Sequence, residues 1–119
     1  MKILLVDDSS TMRRIQKNTL GTLGFTDVDE AEDGQDAVSK VGKTTYDLVL
    51  MDWNMPNMTG IDALKAIRAN PATAKVPVIM VTSESEKTRI LEAIQAGATN
   101  YIVKPFTPDV LKEKLDALH

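Results

Sequence analysis

Cysteine is absent from the 119 residues. Disulfides, thiolate metal sites and thiol nucleophiles are therefore excluded. Histidine occurs once, as the terminal His119, which argues against a zinc site or a histidine-based triad. No apolar run approaches the ~20 residues that span a bilayer, and four apolar residues before Asp7 and Asp8 are too few for a signal peptide. A cytoplasmic protein without membrane contact is expected. The net charge of −3 gives no general attraction to nucleic acid. What remains for chemistry is carboxylates, hydroxyls, amides and lysines.

The apolar residues that are present fall into a repeating order. Lys2 to Val6 reads as a buried strand that ends at Asp7-Asp8, with Ser9 or Ser10 placed to cap a helix. Met12, Ile15, Thr19 and Leu23 follow at near-helical spacing, and Gly24 closes that helix. Thr26 to Ala31 is a weaker strand, Asp33-Gly34 a turn, and Ala37, Val38 and Val41 mark a second helix. Asp47 to Met51 is a continuous apolar strand ending at Asp52, followed by a loop over 54–60. Ile61, Leu64 and Ile67 mark a third helix, broken at Asn70-Pro71. Pro77 to Val81 is a strand that stops at Thr82. Ile90, Leu91 and Ile94 are expected to face inward on a fourth helix ending at Gly97. Asn100 to Val103 is the fifth strand, and Val110, Leu111, Leu115 and Leu118 mark the last helix.

Five β-α units with strands apolar on both faces imply an α/β fold. A five-stranded parallel sheet is covered by helices on both sides, a doubly wound arrangement. The least apolar strand, the second, belongs at an edge, which selects the flavodoxin-like order 2-1-3-4-5. One domain over 1–119 is expected, with no effector domain.

In such a sheet ligands bind beyond the C-terminal strand ends, where the order reverses, between strands 1 and 3. Asp7, Asp8 and Asp52 meet there. One aspartate at a strand end is ordinarily a helix cap, but three at one rim repel unless a cation sits among them. Mg2+, which takes carboxylates, waters and phosphate oxygens, suits the set. Thr82 ends the neighbouring strand, and Lys104, before Pro105, can reach across to the acids. An X-Pro bond can be cis, which would fix where Lys104 points. A carboxylate beside a cation, a hydroxyl and a lysine is equipped for phosphoryl transfer.

Asp7-Asp8, Asp52, Thr82 and Lys104-Pro105 resemble the signature of two-component response-regulator receiver domains over the whole chain. The segments 52–56, 96–98 and 100–107 resemble the stand-alone chemotaxis regulators of that family in particular. The resemblance implies that Asp52 accepts a phosphoryl group from a chemotaxis histidine kinase. It implies that Asp8, Asp52 and the main-chain carbonyl of Asn54 hold Mg2+, with Asp7 acting largely through water. Thr82 and Lys104 would hold phosphoryl oxygens. Asn54 and Glu84 would orient the water that removes the group.

Thr82 and Tyr101 would form the switch, although without the resemblance an ordinary half-buried strand aromatic is the favoured reading of Tyr101. Ser85, Lys87, Tyr101 and Lys114 would lie on the output face formed by the fourth helix, fifth strand and fifth helix. The expected target is a flagellar motor switch protein, and the chain is expected to act as a monomer. It would be no enzyme beyond its own phosphorylation and dephosphorylation. Alternatives are a phosphorelay intermediate, a small Mg2+-dependent phosphatase, for which Asn54 stands where a second acid is needed, and a flavin module, whose phosphate the paired aspartates would repel.

Overall fold

Ile3, Leu4, Leu5 and Val6 are all buried, and so is every residue of Leu48–Asp52 and Val78–Thr82. Three segments buried on both faces can only be the interior of a layered sheet. The computed structural model describes residues 1–83, 87–104 and 106–118, with the side chain of Lys87 excepted. The elements run β1 (Ile3–Val6), α1 (Ser10–Thr22), β2 (Val28–Ala31), α2 (Gly34–Lys43), β3 (Leu48–Asp52), α3 (Gly60–Ala69), β4 (Val78–Thr82), α4 (Lys87–Gln95), β5 (Asn100–Val103) and α5 (Pro108–Asp116). The strands are parallel in the order β2-β1-β3-β4-β5. The half-buried β2 stands at an edge, as its composition predicts. No helix among the described residues is long and apolar enough to cross a membrane.

Alternation along the strands splits the core in two. Leu4, Val6, Val49, Met51, Val78 and Met80 pack against Ala37 and Val41 of α2 and Ile61, Leu64 and Ile67 of α3. On the other face Ile3, Leu5, Leu48, Leu50, Ile79 and Val81 meet Leu20 of α1 and Leu111 and Leu115 of α5. Each fully buried aliphatic side chain contributes about 1.5–3 kcal/mol, so two filled layers hold the strand ends in place. Ser9, Asp33, Thr59 and Thr107 cap four of the helices through their side chains. Asp33 is thus the start of α2 rather than only a turn residue.

Two helices present a different face from the one their apolar spacing predicts. On α1, Ile15 is 51% exposed while Gln16 and Leu20 are buried. The buried Gln16 amide bonds the Asp7 carboxylate, with Nε2 at 3.3 Å from Oδ2, while Leu23 of the expected face does pack against the core. On α4, Leu91 and Ile94 are 58% and 49% exposed, and Ala93 faces the core. The short alanine side chains at 93 and 96 make that packing surface, and the larger apolar residues are left outside. Val110 of α5 is also exposed.

Candidate metal centre

The rim is assembled by backbone pairing at each strand end. Asp7 N–H donates to the Ala31 carbonyl at 3.1 Å, carrying the β1–β2 ladder one residue past β1. Asp52 pairs with Val81, which places Thr82 one residue further along the adjoining strand. Lys104 N–H donates to the Thr82 carbonyl at 2.7 Å, so Lys104 emerges beside Thr82. The loop after β3 folds back until Gly60 N–H bonds the Trp53 carbonyl at 2.9 Å. A Cβ on Gly60 would lie 2.0 Å from the Asp52 carbonyl oxygen. Only glycine lets α3 begin so close to the strand end.

Asp7, Asp8 and Asp52 each offer a carboxylate oxygen, all within 4.8 Å of one another. Asp7 and Asp52 are buried and Asp8 is exposed, so the cluster opens on one side. Lys104 Nζ lies 3.0 Å from Asp52 Oδ1 and 3.6 Å from Asp7 Oδ2. Asp7 is held further by Ser9 N–H on Oδ1 at 2.9 Å and by Gln16 Nε2 on Oδ2 at 3.3 Å. Arg13 Nη1 donates to the Asp7 carbonyl at 2.6 Å, while its Nε pairs with Glu30 at 3.0 Å.

Burial pushes the Asp52 carboxyl above its ordinary range. The hydrogen bond from Lys104 opposes that shift, and the Asp7 charge adds to it. For Lys104 burial works against the charged ammonium. The hydrogen bond and charge of Asp52, together with Asp7, outweigh it and raise the lysine. One ammonium is thus firmly protonated among three acids but does not fully compensate Asp52. A further cation would lower that strain. The donors are hard oxygens on one open rim, which fits Mg2+ completed by waters.

Of the residues expected at the site, Asp7, Asp8, Asp52 and Lys104 are brought together, and the buried Thr82 ends the neighbouring strand. Asn54 is exposed on the loop two residues past Asp52. Tyr101 is half-buried on β5 opposite Met80, and Lys114 Nζ sits 4.5 Å from its ring centroid. Glu84, Ser85 and Pro105, with the geometry of the Lys104-Pro105 bond, lie outside the described residues, as does the side chain of Lys87.

Gln16, Arg13 and Gly60 escaped the sequence reading. The first two sit on a helix whose buried face the apolar spacing misplaces, and Gly60 reads only as loop punctuation. Arg89 on α4 was also missed. Its guanidinium carbon lies 5.1 Å from the centroid of the buried Trp53 ring.

Comparison with known proteins adds to this geometry. The family model for the response regulator receiver domain matches residues 3–116. The chain is 53% identical over 118 residues to the chemotaxis protein CheY of Pseudomonas aeruginosa, covering 99% of this chain and 95% of that one. The structure of the Vibrio cholerae chemotaxis protein CheY4 superposes with a TM-score of 0.90 at 36% identity, covering 99% and 98% of the two chains. A receiver domain of a Pseudomonas aeruginosa sensor histidine kinase superposes with a TM-score of 0.88 at 32% identity, covering 98% and 94%. Its structure has a magnesium ion coordinated in the active site cleft.

Proposed function

The chain belongs to the response regulator receiver domain family, and from that premise we propose that it is a phosphorylation-driven switch whose acceptor is Asp52. The observation that carries the proposal is Lys104 Nζ at 3.0 Å from Asp52 inside the three-aspartate cluster. A carboxylate oxygen of Asp52 attacks the phosphorus of a phosphohistidine on a chemotaxis kinase. The P–O bond forms as the P–N bond breaks, and the imidazole leaves with a proton. Lys104 neutralises phosphoryl charge, and the Thr82 hydroxyl donates to a phosphoryl oxygen. Asp8, Asp52 and the Asn54 carbonyl would hold Mg2+, with Asp7 acting through water, and the ion would supply charge neutralisation at the transferring group. Asn54 and Glu84 orient the water that later hydrolyses the acyl phosphate, so the protein catalyses only its own charging and reset.

The signal leaves through α4, β5 and α5. The new group carries about −1.5 to −2 charge and draws Thr82 toward it, which lets Tyr101 change position. Ser85, Lys87, Tyr101 and Lys114 then present a changed surface to a flagellar motor switch protein in the cytoplasm. The 53% identity to a chemotaxis protein supports this target over a relay role.

Incubation with acetyl phosphate and Mg2+ should add one base-labile phosphoryl group, and Asp52→Asn should abolish it. Stoichiometric labelling of Asp52→Asn would refute the acceptor. Binding to a flagellar switch peptide should tighten on phosphorylation. Phosphate passed to a histidine phosphotransfer protein without that tightening would make the chain a relay intermediate.

A further inference from the structure

Five polar or charged side chains are buried among the described residues: Asp7, Gln16, Asp52, Thr73 and Thr82. Three of them belong to the acidic rim. Thr73 has a local role, its hydroxyl donating to the Ile67 carbonyl at 2.7 Å. Gln16 is left, 3% exposed on α1, where it lines a small cavity with Met12, Thr19, Lys104 and Phe106. Burying an amide there costs free energy unless a partner repays the lost hydration. The neighbouring Ile15 is 51% exposed. The partner Gln16 finds is the Asp7 carboxylate, with Nε2 at 3.3 Å from Oδ2.

We propose that Gln16 is a positioning residue for magnesium, acting through Asp7. This rests on the reading of the aspartate cluster as a Mg2+ site. The Asp7 carboxylate can rotate about its Cβ–Cγ bond. Ser9 N–H fixes one oxygen and Gln16 fixes the other, so the face turned toward Asp8 and Asp52 is set before the ion arrives. Arg13 secures the same residue at its carbonyl. The amide is suited to the task because it is neutral. A cationic donor in its place would cancel charge that the metal needs, as Lys104 already does in part. An apolar residue would leave the carboxylate to the Ser9 N–H at 2.9 Å and the more distant Lys104 ammonium at 3.6 Å.

Removing a hydrogen-bond partner behind a direct metal ligand typically weakens metal affinity 10–100-fold, and because Asp7 acts through water the low end of that range applies to Gln16. Gln16→Met keeps the length of the side chain and removes the donor. A cavity of about 30 Å3 lined in part by Gln16, Met12 and Phe106 gives the thioether room.

The test is a Mg2+ titration followed by the fluorescence of Trp53, which directly follows Asp52. Wild type, Asp8→Ala and Gln16→Met are compared, with thermal melts alongside. The wild type should saturate, Asp8→Ala should lose the response, and Gln16→Met should need roughly tenfold more Mg2+. A melting shift with an unchanged Mg2+ midpoint would make Gln16 merely structural and overturn the proposal, and so would tighter binding. Should Gln16→Met fail to fold, the side-chain amide resonances of Gln16 in labelled wild-type protein decide. They should shift with the same midpoint as the Trp53 signal, and resonances that stay still overturn the proposal. A wild type blind to Mg2+ overturns the metal reading and this inference together. A wild type that responds, lost in Asp8→Ala but unaltered in Gln16→Met, overturns the inference alone.

Discussion

The two ends of the sheet treat their polar groups in opposite ways. At the N-terminal strand ends the polar groups are matched one to one. Asp47 accepts from Lys2 N–H at 2.6 Å, the Tyr46 hydroxyl donates to Asp29 at 2.7 Å, and Val78 N–H donates to the Thr99 hydroxyl at 3.1 Å. At the C-terminal ends three aspartates crowd together and two of them, Asp7 and Asp52, share one lysine. A groove of about 450 Å3 at the N-terminal end is lined in part by Tyr46, Asp47 and Lys75. The proposed phosphoryl site lies at the opposite, charged rim.

The comparison breaks most sharply at Gly60. Gly60→Ala drives a methyl into the Asp52 carbonyl and should cost roughly 3 kcal/mol, at the upper end for overpacking, because the obstacle is backbone. Chemical denaturation would measure it. A cost under ~0.5 kcal/mol would mean that the loop is not held against the strand end.

Lys104→Met should come next. It strands Asp7 and Asp52 without their ammonium and should cost about 2 kcal/mol in metal-free buffer. That is below the range for a fully buried pair, because Lys104 is 20% exposed. Mg2+ should recover part of the loss, since an ion that binds only the native state stabilises it by mass action. If the variant costs less than Tyr46→Phe, the rim is not the strained end.

Tyr46→Phe should cost about 1 kcal/mol, the net worth of one hydrogen bond. Burial first, and then the bond to Asp29 and its charge, push the Tyr46 hydroxyl up to about 12 from an ordinary 10.0. Between those values the unfolded chain loses this proton while the folded protein keeps it, so the contribution of Tyr46 is complete below pH 10 and lost as pH rises toward 12. Stability curves of wild type and Tyr46→Phe should converge across that window. Parallel curves would refute the assignment.

The smallest effects should differ in sign. Asp8→Asn relieves repulsion at the crowded rim and should raise metal-free stability by roughly 0.5 kcal/mol. Asp47→Asn, at the matched end, should lower stability by a similar amount through a weaker bond to Lys2 N–H. Melting temperatures moving in the same direction for both would erase the distinction between the ends.

Much of this was legible in one dimension. Strands 1, 3 and 4 are unbroken apolar runs that stop at Asp7, Asp52 and Thr82, and the weak second strand marks itself as an edge. From those features come the parallel sheet, its order and the rim where the acids meet. Apolar spacing failed on α1 and α4 because it counts every large aliphatic residue as inward. It cannot weigh an amide that has a carboxylate to bond, nor an alanine face that packs well because it is short.

The sequence alone therefore determined the layered sheet, the order of its strands and the convergence of Asp7, Asp8, Asp52 and Lys104. Alternation and run length act locally, and parallel strands bring their ends to a common edge. Only the tertiary structure decided that Gln16 turns inward to hold Asp7, that Gly60 must lack a side chain against Asp52, and that Arg89 lies over Trp53. These depend on distances between segments separated in the chain, which exist only once the layers have closed on one another.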